Sequence, residues 1–274
     1  MTPGPLAVRE ICYYLRDIRE NMKPIKIALL LGLSLLPASS RAQDEEKIQK
    51  LFEDAIQAMG GETYLNVKDT VSDGNLFFFS RDSSSGLIKY NDYFKVPDKR
   101  RNEIGNRKKE RDIIVFNLEK NEGWIQQGQK ETRVATPEEM TDFKNSVRHS
   151  LDNILRFRYR DPGNKLFYMG PGEGSDVQYD LVKLLDEEND EVTVYFDRVA
   201  KLPTKVEFRT VGKNEVRYRV VEEYSQWHES QGINAPLRKD TYRNGTRYRQ
   251  QFILKITYNT GLENSLFVKP EPQK

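Results

Sequence analysis

Residues 191–209 read EVTVYFDRVAKLPTKVEFR. Val192, Val194 and Phe196 alternate with Thr193, Tyr195 and Asp197. After the Leu202-Pro203 break, Val206 and Phe208 alternate with Lys205, Glu207 and Arg209. A period of two marks a strand with one apolar and one polar face. Two such runs a few residues apart predict an antiparallel hairpin, one face on a core and the other in water.

The same rhythm extends in both directions. Downstream, Val216, Tyr218 and Val220 alternate with Arg217 and Arg219, and Phe252, Leu254, Ile256 and Tyr258 close the series after an Asn244-Gly245 turn. Upstream, Val177–Leu185 precedes an acidic turn at Asp186–Asp190. Earlier still come Leu76–Phe79, a Ser/Gly turn at Ser83–Gly86, and Leu87–Val96 with Tyr90, Tyr93 and Phe94. Arg100–Gly105, Asp112–Leu118 and Trp124–Gln127 complete a meander of hairpins.

Two helical patterns interrupt it. Ile48, Leu51, Phe52, Ala55, Ile56 and Met59 form one apolar stripe, with Asp44 as the expected cap and Gly60-Gly61 as the stop. Thr136-Pro137-Glu138-Glu139 has capping-box spacing with Pro at the first helical position. Met140, Phe143, Val147, Leu151, Ile154 and Leu155 follow on one side, with a break expected near His149-Ser150. The economical architecture is α+β: a strongly curved antiparallel sheet whose concave apolar face is covered by helices.

The N-terminus points to export. Ile27–Leu36 (IALLLGLSLL) follows Lys23 and Lys26 and precedes Ala38-Ser39-Ser40-Arg41-Ala42, which reads as a signal peptide over 22–42 cleaved after Ala42. The run is half of the roughly 20 residues a spanning helix needs. Residues 1–21 carry Glu10, Asp17 and Glu20, unsuited to a basic leader; Met22 is read as the true start and 1–21 as a mis-called extension. The alternative is a long leading region on an uncleaved anchor. Residues 43–274 are then one domain, with 38 basic and 39 acidic side chains for a net charge of −1. That balance gives no case for nucleic acid. The only cysteine, Cys12, falls in the discarded part, so the remainder has no disulfide, thiol nucleophile, lipid-modified cysteine or cysteine zinc site.

Catalysis has little to stand on. His149 and His228 are read as surface or packing residues, and neither a G-x-S-x-G elbow nor an H-E-x-x-H helix occurs. Gly170-Pro171-Gly172-Glu173-Gly174 suits a surface loop better than a phosphate cradle. The acidic run Asp186–Glu191 lacks calcium-loop spacing and reads as a solvated hairpin tip. Lys99-Arg100-Arg101 and Arg107-Lys108-Lys109 could meet lipid headgroups, but interleaved acids favour a wet sheet face. No cofactor and no metal are expected.

Several stretches together resemble the outer-membrane lipoprotein carrier superfamily (LolA/LolB-like), in particular its periplasmic sorting-protein relatives. They are Ala58-Met59-Gly60-Gly61, Lys95-Val96-Pro97-Asp98-Lys99-Arg100-Arg101, Asn121-Glu122-Gly123-Trp124, and Tyr195-Phe196-Asp197 through Leu202-Pro203 to Val206-Glu207-Phe208. Gly232-Ile233-Asn234-Ala235-Pro236, Ile256-Thr257-Tyr258-Asn259 and Phe267-Val268-Lys269-Pro270 follow. The resemblance implies an unclosed half-barrel of about eleven antiparallel strands with a helical lid. It also implies a non-catalytic periplasmic carrier or chaperone that holds acyl chains of lipoproteins or lipids in an apolar cavity. An envelope-stress sensor or scaffold of the same fold, binding a protein partner, is the alternative. Other expected partners are inner- or outer-membrane transfer proteins, with the chain itself a monomer.

Phe77, Phe79, Phe94, Phe116, Phe196, Phe208 and Phe252 are the candidate cavity residues, and Met140, Phe143, Val147 and Leu151 the candidate lid. Ordinary core is the competing reading for each. Burial at about 0.8 kcal/mol per methylene would hold a long acyl chain without catalysis.

Overall fold

The structure, a computed structural model, describes residues 36–80, 83–173, 177–212 and 216–271. The proposed extension 1–21 and residues 22–35 of the leader lie outside the described residues.

Two helices open the described chain: α1 (Leu36–Ala58) and the single turn α2 (Glu62–Leu65). The first meander follows as β1 (Asp69–Phe78), β2 (Ile88–Lys95), β3 (Lys99–Ile104), β4 (Asp112–Asn117), β5 (Glu122–Gln126) and β6 (Arg133–Val134). Helices α3 (Pro137–Arg148) and α4 (Leu151–Arg156) interrupt it. The second meander is β7 (Lys165–Glu173), β8 (Gln178–Leu185), β9 (Glu191–Asp197), β10 (Pro203–Val211), β11 (Arg217–Ser230), β12 (Ile233–Arg243) and β13 (Thr246–Tyr258). All neighbours pair antiparallel in one thirteen-stranded sheet, ordered β6-β5-β4-β3-β2-β1-β13-β12-β11-β10-β9-β8-β7. The strand series runs outward from the β1–β13 pair, so the first and last strands of the chain lie side by side at its centre.

Thirteen strands stand where about eleven were expected. One addition is the two-residue β6. Another is β7, which carries Gly170, Pro171 and Gly172 in a strand with a bulge between Tyr168 and Gly170, rather than in the surface loop their composition suggested. The sheet does not close. Its edges are β6, only two residues long, and the kinked, proline-bearing β7.

Helix α1 starts at Leu36, so Asp44 lies inside it rather than capping it. Its stripe is as the spacing predicts: Ile48, Phe52, Ala55, Ile56 and Met59 are all buried. The helix stops at Gly60 (φ 123°) and Gly61 (φ 57°). A Cβ on Gly60 would sit 2.5 Å from the Gly232 carbonyl oxygen, so only glycine lets the helix end meet the β11–β12 turn.

The largest core lies between α1, α4 and one half of the sheet. It joins Phe52, Met59, Leu151, Ile154 and Leu155 to Val182, Val192, Val194, Phe196, Val206 and Ile233. Phe52 is its centre, stacked on Tyr159 at 4.4 Å and edge-on to Phe196 at 5.1 Å. On the opposite face of β4, Ile113 and Val115 pack under Phe267, from a short 3-10 turn at Asn264–Phe267. The segment before that turn is pinned by Asp69, whose carboxylate accepts hydrogen bonds from the backbone of Thr260, Gly261 and Leu262 and from the Thr260 hydroxyl. Burial works against the charge, but those donors hold the Asp69 carboxyl below its ordinary range. Among the described residues, no helix is long and apolar enough to cross a membrane.

Candidate functional site: a strapped concave face

Helix α3 begins as its sequence dictates. The Thr136 side chain accepts from the Glu139 N–H while Glu139 accepts from the Thr136 N–H, and Pro137 sits in the first turn. Arg133 adds two hydrogen bonds to the same carboxylate, at 2.8 and 2.7 Å. The Arg133 contact, with the Thr136 bonds, draws the Glu139 carboxyl down to about 2 against a smaller desolvation effect. The expected break at His149-Ser150 is present, with Ser150 capping α4.

The two ends of α3 touch distant strands. Phe143 stacks on Phe116 of β4 at 4.4 Å, and Met140 and Val147 pack in the same cluster with Ile125. His149, at the C-cap, stacks on Phe208 of β10 at 4.2 Å. Between residues 143 and 149 the helix rises only about 9 Å. Seven inter-strand steps separate β4 from β10, about 34 Å in a flat sheet. Both contacts can exist only if the sheet wraps round. Helix α3 is therefore a strap drawn across the mouth of a curved sheet.

Ion pairs fasten the β10 end of the strap. Arg148 pairs with Asp186, Glu188 and Asp190 of the β8–β9 turn, Arg158 donates to Asp186 at 2.7 Å, and His149 Nε2 lies 2.8 Å from Asp190. Burial alone would raise the Asp186 carboxyl, but the Asp190 N–H and the arginines hold it below its usual value. Glu187, Glu188, Asn189 and Glu191 remain exposed, as a solvated tip should be, while half-buried Asp186 and Asp190 are partners of the strap and His149 is a buried packing residue.

Register decides which candidate residues lie under the strap. Phe116 pairs with Arg100, Arg100 with Phe94, and the concave row continues through Asp92, Tyr90 and Ile88 on β2 and Ser72, Gly74 and Leu76 on β1. It passes to Gln251 and Ile253 on β13, Lys239 and Thr241 on β12, Tyr224, Glu222 and Val220 on β11, and Phe208 on β10. Phe94, Phe116, Phe196 and Phe208 therefore share the strapped side with Met140, Phe143, Val147 and Leu151. Leu151 and Phe196 belong to the solid core around Phe52.

Phe77, Phe79 and Phe252 are on the opposite face. Phe77 meets Phe252 edge-on at 6.0 Å beneath Arg238, and Arg247 lies over Phe79. Two features hide this in the sequence. The run Leu76-Phe77-Phe78-Phe79 has no alternation to reveal its phase. A bulge opposite Asp73 and Gly74 then reverses the parity of β13, so that Ile256 and Tyr258 face the core while Phe252 does not and Leu254 is 67% exposed.

The residues that sequence reasoning missed are polar, and Arg100, which it placed on a wet sheet face, stands with them in the concave row. Arg100 grips Asp92 through two hydrogen bonds, at 2.8 and 2.7 Å. Glu222 accepts from Lys239 at 3.1 Å and from the Tyr224 hydroxyl at 2.7 Å, with Arg249 at 3.9 Å. The signal was legible in principle: Asp92 stands in phase with Tyr90 and Phe94, and Glu222 in phase with Val220 and Tyr224. A carboxylate in the apolar phase of a strand must find a cation or stay near water. Half-buried Ile88, Ile104, Ile114 and Ile253 line the same face. Among the described residues no cluster of histidine and acidic side chains is arranged to hold a metal ion.

No family model matches the sequence, and no curated protein is similar to it. Solved structures do match the architecture. A LolA superfamily protein from Nitrosomonas europaea aligns over 81% of this chain and 97% of its own, with a TM-score of 0.53 at 12% identity. The chain has a LolA-like fold. A DUF1329 family protein from Desulfovibrio piger aligns over 80% of this chain and 96% of its own, with a TM-score of 0.55 at 11% identity. For an outer membrane lipoprotein-sorting protein domain from Vibrio parahaemolyticus the figures are 80% and 96%, 0.50 and 11%. At such low identity the LolA-like likeness concerns backbone architecture alone.

Proposed function

We propose that this protein is a non-catalytic, exported carrier that shelters the acyl chain of a lipid or lipidated protein between the strap α3 and the concave face of its sheet. The carrying observation is the strap itself. A helix anchored at both ends across a curved sheet covers a face lined by half-buried Ile88, Ile104, Ile114, Ile253 and Phe94 instead of a fully packed core. Transfer of an acyl chain onto such a surface is favourable by about 0.8 kcal/mol per methylene, so no chemical step is required to retain a guest. The basic, short, apolar leader over 22–42 supports export, with action in the periplasm.

Native mass spectrometry of protein purified from its own envelope tests this. The expected spectrum contains the chain cut after Ala42 and, above it, a mass shift from an acyl species that disappears on denaturation. A wholly ligand-free spectrum, under conditions in which a control lipid carrier keeps its guest, refutes the reading.

A further inference from the structure

The middle of the strapped face is charged, and an acyl chain alone has no use for charge. We propose that the hollow beneath α3 takes the anionic head of an amphiphilic guest, a carboxylate or a phosphate, seated among Lys239, Arg249, Thr241 and Arg100. This rests on the carrier reading and names the chemistry of its guest.

Three observations carry it. First, the ring has three cations, Arg100, Lys239 and Arg249, against two carboxylates, Asp92 and Glu222, and the strand register puts all five on the concave face. Second, the cations are deep yet reachable. Their side chains keep 34, 25 and 31% of their surface open, as expected for groups lining a concavity rather than sealed in a core. Third, the site contains unmet hydrogen-bonding capacity. Thr241, 5% exposed, has no partner for its hydroxyl, and Arg249 has none for its Nε. In the register Thr241 sits between Glu222 and Arg249, so its side chain and the adjacent guanidinium share the concave face, with the Thr241 hydroxyl and the Arg249 Nε themselves sealed from solvent.

The electrostatics agree. Desolvation, with repulsion from Arg249 and Arg100, pulls the Lys239 ammonium below its ordinary value although Glu222 opposes the shift. A further anion would relieve that imbalance. A neutral guest would leave the unpartnered donors buried and unpaired, which is unfavourable.

The test is equilibrium binding of the full-length exported protein, stripped of lipid, to palmitate, dipalmitoyl phosphatidylglycerol, methyl palmitate and dipalmitoylglycerol. We expect at least one anionic ligand to bind about 10-fold or more tightly than its neutral counterpart. Preference for palmitate assigns a carboxylate, and preference for phosphatidylglycerol assigns a phosphate. Lys239→Met should reduce the preference, read as the ratio of anionic to neutral affinity, to about 2-fold or less. Thr241→Val, which removes no charge and keeps the side-chain shape, should weaken only the anionic ligands by about 3-fold, and it serves if Lys239→Met does not fold. Equal affinity for charged and neutral pairs overturns the head-group site while leaving the carrier intact. A preference that survives both substitutions also overturns it. Failure of all four ligands to bind brings down the carrier reading itself.

Discussion

Replacing Phe143 by alanine tests whether α3 is a hinged strap. Phe143 is 6% exposed and stacks on Phe116 at 4.4 Å with ring planes 9° apart. Removing a buried phenyl ring costs about 3–5 kcal/mol, of which the stacked pair supplies roughly 0.5–1.5 kcal/mol. The strap has a break at each end, at Ala135–Thr136 and at His149–Ser150, and its neighbours belong to separate clusters. The loss should therefore appear as local opening rather than global unfolding. At about 1.4 kcal/mol per decade, even the lower bound corresponds to roughly 100-fold faster amide exchange over residues 137–149. Hydrogen exchange read by mass spectrometry resolves this: peptides from α3 should lose protection while those from β8 to β10 keep theirs. Unchanged exchange in α3, or a rise spread evenly over the whole chain, would show that the helix is not an independent cover.

The other predictions probe the strap's two fastenings and the core behind it. Arg148→Met leaves Arg158 as the remaining arginine on Asp186 and should weaken the latch by about 1–2 kcal/mol, seen as roughly 10-fold faster release of a bound acyl probe in stopped flow. Because the Asp186 carboxyl is held below its ordinary value of about 3.9, its contribution is complete above that pH and disappears as pH falls through the lower folded value. Thr136→Ala should cost about 1 kcal/mol, a fall of roughly 2–4 °C in Tm. The wild-type cap should persist until pH approaches about 2, where Glu139 protonates, so the Tm gap between wild type and Glu139→Gln should shrink between pH 4 and that point. Phe52→Ala removes a fully buried ring with two aromatic partners and should lower Tm by roughly 8–16 °C in calorimetry; a shift below about 3 °C would mean that α1 is not part of the core.

Much of this arrangement is legible before any coordinates. The alternation at Val192–Phe196 and Val206–Phe208, the Asn244-Gly245 turn and the Thr136–Glu139 cap are local signals, and local signals survive folding. Phase is less secure. One bulge between Asp73 and Gly74 reassigns Phe252 and Leu254, and nothing in the residue types of β13 announces it. Gly170-Pro171-Gly172 failed for the opposite reason. The composition of a turn sits in an edge strand, the place in a sheet where proline and glycine are tolerated. The charged ring was harder still, because its members are spread from Asp92 to Arg249 and only the wrap of the sheet gathers them.

The incomplete closure of the sheet carries one last implication. A finished cylinder has a girth fixed by its hydrogen bonds, whereas this one ends in a two-residue stub on one flank and a bulged, proline-bearing ribbon on the other. Neither flank offers a straight ladder to a stranger, so the gap can exist without inviting aggregation. The two wings are instead tied across the opening by α3, which packs on β4 through Phe143 and on β10 through His149, so side-chain contacts of the strap set the width of the mouth.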